Sequence, residues 1–260
     1  MSKTVPHYVE GHDLLAGKTV LITAAAGTGI GFATARRCVE EGARVMISDI
    51  HERRLGEAVD ELEKLSGVRP ASQLCNVSDD GDVRALIAAG IEQLGHVDVL
   101  VNNAGLGGMA NVVEMTDEQW DSVIGITLTG TFRMTRAMLP HMMERKQGVI
   151  VNNASVLGWR AQVGQSHYAA AKAGVMALTR CSALEAAEYG IRINAVSPSL
   201  ASHKFLAKVT PQDVLDELTA REAFGRGAEP WEVANVIVFL ASDYASYMTG
   251  ESVAVSSQRA

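Results

Sequence analysis

The sequence predicts an α/β fold, with one doubly wound parallel sheet and helices on both of its faces. Three observations predict it. Short, nearly continuous apolar runs alternate with segments of helical period, as parallel strands buried on both faces require. The chain has 260 residues, of which 47% are apolar and 20% charged; that supplies a large core and excludes a disordered chain. Six prolines are spread along the sequence, and no linker, repeat or low-complexity tract separates one part from another.

The first 13 residues are polar and read as an arm, leaving residues 14–260 as one domain. Strands are expected at residues 19–23, 44–48, 72–75, 97–101, 149–153, 192–196 and 252–255. A helix over residues 30–41 follows the first run and is closed by Gly42, the residue type most common just past a helix end. Strand–helix alternation of this kind gives right-handed crossovers and a parallel sheet. A lid over the site is expected at about residues 199–225.

Charge and cysteine content narrow the function classes. The net charge is −7 and no basic stripe is visible, so no nucleic-acid partner is expected. No apolar run approaches the roughly 18 residues of a membrane span, and the N-terminus lacks the apolar core of a signal peptide. Cys38, Cys75 and Cys181 form no CxxC pair, which suits a reducing compartment. These features together read as a cytoplasmic protein. The seven histidines (His7, His12, His51, His96, His141, His167 and His203) show no metal spacing, and no catalytic metal is expected. His167 adjoins Tyr168 and is expected to point elsewhere on its helix.

In doubly wound sheets ligands bind beyond the carboxyl ends of the strands. The first strand runs into Ala24-Ala25-Ala26-Gly27-Thr28-Gly29-Ile30-Gly31, which opens a helix. Small residues there let a pyrophosphate approach the backbone, and the helix N-terminus offers free N–H groups and a positive dipole end. An ordinary strand-to-helix turn is the alternative. Asp49, about 20 residues beyond the glycines, ends the second strand. A carboxylate there accepts from the ribose hydroxyls of NAD and repels the extra phosphate of NADP; capping of the next helix is its alternative role. Arg53 and Arg54 follow one turn into that helix and are expected to face solvent. Further on, Tyr168 and Lys172 stand four apart, on one helix face. An ammonium beside a phenol favours the phenolate, so Tyr168 becomes a candidate proton carrier. Alone, the pair also suits a half-exposed helix face.

Taken in order, the motifs resemble the short-chain dehydrogenases/reductases over residues 14–255. The resemblance rests on the glycine loop, Asn102-Asn103-Ala104-Gly105, Ser155 placed 13 residues before Tyr168, and Tyr168 with Lys172. It also rests on Arg192-Ile193-Asn194-Ala195-Val196-Ser197-Pro198 and on Phe239-Leu240-Ala241-Ser242-Asp243 with Thr249-Gly250. The resemblance implies a Rossmann fold of seven strands in the order 3-2-1-4-5-6-7, and a homotetramer. It implies Tyr168 as acid/base, Lys172 on the nicotinamide ribose, and Ser155 on the substrate oxygen. The cofactor, NAD in preference to NADP, would lie against Thr28, Gly29, Ile30, Gly31, Asp49, Asn76, Val77, Asn103, Ala104, Gly105 and Pro198, with Tyr168 and Lys172.

The sequence departs from the family pattern at several points. Ala24 follows Thr23 where the family has its first glycine, and the loop is one residue longer. Asn76 stands for the usual adenine-binding Asp, Pro198-Ser199 for Pro-Gly, and His203 for a threonine. Thr127 takes the place of the fourth catalytic residue, an Asn, and its hydroxyl has the shorter reach. The pocket walls are expected from Leu106, Met109, Val156, Leu157, Trp159, Leu200, Phe205, Leu206 and Val209, an apolar surface for a bulky substrate. His203, Lys204, Lys208 and Arg160 form a local basic cluster suited to an anionic group such as an acyl-CoA tail. The details of the loop also resemble members of the family that act on CoA-linked fragments of degraded steroids. The leading reading is an NAD-dependent secondary-alcohol dehydrogenase; a 3-oxoacyl thioester reductase and a nucleotide-binding regulator without turnover are the alternatives.

Overall fold

The computed structural model describes residues 4–202 and 212–258. Seven strands form one parallel sheet in the order β3-β2-β1-β4-β5-β6-β7. They are β1 (Thr19–Ile22), β2 (Arg44–Asp49), β3 (Ala71–Leu74), β4 (Val99–Asn102), β5 (Gly148–Asn153), β6 (Ile191–Pro198) and β7 (Ser252–Val255). The order reverses between β1 and β4, which places a crevice at their carboxyl ends.

The interior strands carry apolar residues on both faces, and strict alternation divides them between two cores. Val20, Ile22, Val99, Val101 and Val151 face one layer. Leu21, Leu100 and Ile150 face the other. Helices α1 (Ile30–Glu40), α2 (Glu52–Ser66) and α8 (Pro230–Ala241) cover the first. Helices α3 (Asp80–Leu94), α5 (Gly130–Arg145) and α6 (Ser166–Ala187) cover the second, where α5 contributes Met134, Met138 and Met142 at intervals of one turn. Helices α4 (Asp117–Ile124) and α7 (Gln212–Arg221) complete the described set.

The helix limits follow capping chemistry. Asp79 accepts from Asp82 N at the start of α3, and Thr116 and Gln119 form a capping box on α4. Gly67 closes α2 in the left-handed conformation, φ 72°. A π-helical turn, Gly125–Thr129, joins α4 to α5; nothing in the residue pattern announces it.

Three strand expectations need correction. Strand β4 starts at Val99, because Val97 N donates to His141 Nε2 and leaves the ladder. Strand β6 runs on to Pro198, because Ser197 and Pro198 still pair with β7. Strand β3, at the sheet edge, alternates half-buried and exposed residues, so it is not buried on both faces. Residues 4–13 are exposed and lie against α1 and α8: Tyr8 meets Trp231 edge-on at 5.3 Å, and Val9 O accepts from Arg37.

Candidate active site

The carboxyl ends of β1, β4, β5 and β6 bring most of the expected residues together. Consecutive asparagines end both β4 and β5 and form two cross-strand ties. Asn102 Nδ2 donates to Asn152 Oδ1 at 2.9 Å, inside the core. One residue further, Asn153 Nδ2 donates to Asn103 Oδ1 at 2.9 Å. Asn103 Nδ2 in turn donates to the carbonyls of Thr23 and Ala24 at 3.2 and 3.0 Å. Thr23 Oγ1 accepts from the N–H groups of both Asn103 and Ala104. The glycine loop is thus fastened to the tip of β4, and β4 to β5. Thr23, Asn152 and Asn153 were not among the expected site residues; the repeated Asn-Asn after successive strands is the signal that could have found them.

Alanine holds the position of the loop's usual first glycine. Ala24 adopts the left-handed conformation, φ 49°, that glycine favours. Gly31 admits no side chain: a Cβ there would stand 2.2 Å from Ala24 O and 2.5 Å from Asn103 Nδ2. Gly27 and Gly29 instead face open space, with nothing within 4 Å of a Cβ. No side chain caps α1 at Gly29, so its first-turn N–H groups remain for a ligand. The loop borders a cavity of about 400 Å³ that Thr28, Phe32, Arg36, Arg54 and Trp231 help to line. These features fit the pyrophosphate of a dinucleotide.

Asp49 ends β2 beside this loop. Its Oδ2 accepts from Ala26 N at 3.2 Å and its Oδ1 from His51 N at 3.0 Å. Burial holds the carboxyl above its ordinary pKa, against the opposing pull of the Ala26 N–H, Arg54 and the Ile50 N–H. Arg53 faces solvent, as expected, where it pairs with Glu57. Arg54 does not simply face solvent: its Nη2 lies 3.9 Å from Asp49 Oδ1. Asn76 is engaged within its own segment. Its Oδ1 accepts from both Ser78 N and Ser78 Oγ, so it closes its own turn. Val77 is buried, its side chain against Gly130 of α5.

Ser155 follows β5, and Tyr168 and Lys172 rise from the first turns of α6. Ser155 Oγ accepts from Leu157 N at 3.2 Å and points its hydroxyl at Pro198 O, 3.5 Å away. Burial pushes the Tyr168 phenol up to about 12, while the adjacent Ser155 hydroxyl pulls it down. This reverses the expectation of a depressed tyrosine. Lys172, with its ammonium 5.5 Å from the centre of the Tyr168 ring, donates to Asn153 O. Burial lowers Lys172 to about 8. Gly105 leaves room beside it, since a Cβ there would lie 3.5 Å from Lys172 Nζ and 3.7 Å from Thr127 Oγ1.

Thr127 sits in the π-helical turn, fully buried. Its hydroxyl accepts from Leu106 N at 2.9 Å and donates to Leu106 O at 3.1 Å. It therefore fixes the segment after β4, and its single proton is already committed.

Two segments form the rim of the site. Ala110 N donates to Gly164 O, and Gln165 Nε2 donates to Gly108 O. Met109 is 54% exposed, Trp159 50% and Leu106 37%, while Leu157 and Leu200 are half-buried. Val156, expected in the wall, is buried in the core. His167 points under the rim: it is buried, and a Cβ on Gly108 would stand 3.2 Å from its Nε2. His203, Lys204, Phe205, Leu206, Lys208 and Val209 lie outside the described residues.

Among the described residues no helix is long and apolar enough to cross a membrane. The family model described as enoyl-(acyl carrier protein) reductase matches residues 24–257. A Mycobacterium tuberculosis protein named (5R,7aS)-5-hydroxy-7a-methyl-1-oxo-2,3,5,6,7,7a-hexahydro-1H-indene-carboxyl-CoA reductase is 62% identical over 254 residues, covering 97% of each chain. A 3-oxoacyl-[acyl-carrier-protein] reductase of Thermotoga maritima is 40% identical, over 93% of this chain and 97% of its own. The crystal structure of a short chain dehydrogenase from Mycobacterium smegmatis superposes with a TM-score of 0.88 at 59% identity, over 99% of both chains. With the motifs in order, the strand order they imply and these likenesses, the chain belongs to the short-chain dehydrogenase/reductase family of oxidoreductases that use a nicotinamide cofactor.

Proposed function

We propose that the protein interconverts a secondary alcohol and a ketone on a bulky ring system carried on coenzyme A, with NAD(H) as cofactor. The observation that carries the reading is the convergence of Ser155, Tyr168 and Lys172 beneath an apolar rim. The carboxyl-CoA named for the M. tuberculosis relative supports the substrate class.

When bound, the nicotinamide supplies hydride chemistry. The chain's own residues do the rest. Ser155 holds the substrate oxygen and Tyr168 exchanges a proton with it. Lys172, anchored on Asn153 O, lies one turn from Tyr168 and would bind the nicotinamide ribose. Asn103, Ala104 and Gly105 line the path from the glycine loop to Lys172. Thr127 positions Leu106 at the start of the rim. Asp49 favours the unphosphorylated ribose, though Arg54 beside it weakens the discrimination. Trp120, Phe132 and Leu184 leave apolar surface exposed on α4, α5 and α6, which supports packing of these helices against other copies in a homotetramer.

A substrate screen with NAD and NADP, followed by the absorbance of the reduced cofactor, tests the reading. Turnover of a cyclic hydroxyacyl-CoA with NAD is the expected result. The 3-oxoacyl thioester reading, favoured by the T. maritima relative, predicts linear 3-oxoacyl substrates instead.

A further inference from the structure

We propose that Arg160, held by Gln258 of the C-terminal tail, is a specificity residue that binds a phosphate of the substrate's coenzyme A. The inference rests on the proposed thioester substrate and names the group that would recognise its charge.

Arg160 stands just beyond Ser155. The 3-10 turn Val156–Gly158 separates them, and Arg160 N closes that turn on Val156 O at 2.9 Å. The guanidinium is half-buried and donates through Nη1 to Gln258 Oε1. Gln258 is itself fixed. It forms an antiparallel bridge with Glu222, next to Ala223 N, which donates to Ser257 O. The tail beyond β7 therefore carries Gln258 to the same edge of the sheet as Ser155.

Arg160 has a carboxamide but no carboxylate as partner among the described residues. Among the described residues no carboxylate lies within 4 Å of its guanidinium. Its neighbours on this edge are matched: Arg226 makes two hydrogen bonds with Glu232, and Arg221 pairs with Glu217. Glu222, the buried acid of the tail, is committed to Leu200 N and Ser257 Oγ. Residues 203–211 contain no Asp or Glu that could serve instead. One carboxamide oxygen cannot satisfy five guanidinium donors. A half-buried cation in a chain of net charge −7, left with unused donors one turn beyond Ser155, matches a phosphate in fork geometry.

The test is steady-state kinetics of the full-length protein and Arg160→Gln on one cyclic hydroxy acid in three forms. These are its CoA thioester, its N-acetylcysteamine thioester, which carries no phosphate, and the free acid. Arg160→Gln should raise KM for the CoA thioester at least about tenfold more than for the neutral thioester, the worth of one charge-assisted hydrogen bond. Arg160→Lys should recover part of the loss, and added salt should raise KM for the CoA thioester more in the unmodified protein than in Arg160→Gln. A rise confined to the CoA thioester identifies a phosphate as the bound group; an equal rise with the free acid, which has no phosphate, would overturn that assignment. Equal changes on all three forms would assign Arg160 to anchoring the tail and overturn the inference alone. An unmodified protein that turns over the neutral form but not the CoA thioester would overturn the inference and the thioester reading together.

Discussion

Lys172 Nζ donates to the main-chain oxygen of Asn153 while standing 5.5 Å from the centre of the Tyr168 ring. That bond joins the lysine to a chain of contacts through Asn153, Asn103 and the carbonyls of Thr23 and Ala24. The proton-handling side of the site and the glycine loop therefore share one scaffold across three strands.

The burial of Lys172 predicts a pH dependence of stability. Its folded pKa is lowered to about 8, below the roughly 10.4 of an unfolded lysine. Between these values the unfolded chain binds the extra proton, so this group's contribution to stability rises with pH. Relative to Lys172→Met, the unmodified protein should gain on the order of 2–3 kcal/mol between about pH 8 and 10.5. Urea unfolding of both proteins across that range measures it; parallel curves would contradict it.

Ala24 predicts a stabilising substitution. A non-glycine residue at φ 49° carries a left-handed penalty of about 1–2 kcal/mol, larger than the roughly 0.5–1 kcal/mol entropic cost of glycine. Ala24→Gly should therefore stabilise the protein by about 0.5–1 kcal/mol, seen as a higher denaturation midpoint at an unchanged slope.

Gly31 predicts the opposite sign. A methyl group 2.2 Å from Ala24 O and 2.5 Å from Asn103 Nδ2 must displace both. Gly31→Ala should cost about 1–3 kcal/mol, and NADH titration followed by fluorescence should show weakened binding.

Thr127 uses its hydroxyl twice on Leu106. Thr127→Val keeps the shape and leaves two backbone groups without their partner, costing about 1–3 kcal/mol. Thr127→Ser should recover most of that. A valine variant as stable as the parent would show that the hydroxyl does not hold the segment.

How much was legible in the sequence depends on the kind of signal. Strands such as β1 and β4 were plain, because residues like Val20, Leu21 and Ile22 must bury both faces. The order of Ser155, Tyr168 and Lys172 placed the site through family resemblance. Neighbouring interactions that depend on side-chain direction were not legible. Arg54 turning toward Asp49, His167 passing under Gly108 and the closed turn at Asn76 depend on atoms whose approach no spacing rule specifies. The lowering of Tyr168 by Lys172 failed for a physical reason: desolvation by burial outweighs the pull of the adjacent Ser155 hydroxyl, and the ammonium is engaged by Asn153. The start of β4 shifted by two residues because a side chain, His141, takes Val97 N from the ladder.

The central claim is that Tyr168 carries the proton, and Tyr168→Phe tests it most directly. The substitution keeps the ring and its packing, and it leaves Lys172 on Asn153 and the glycine loop in place. With a confirmed alcohol substrate and NAD, kcat should fall at least roughly 100-fold, within the range of general acid–base catalysis, while NADH affinity stays close to that of the parent. Near-full turnover by a folded Tyr168→Phe protein would place the proton on another group and contradict this account.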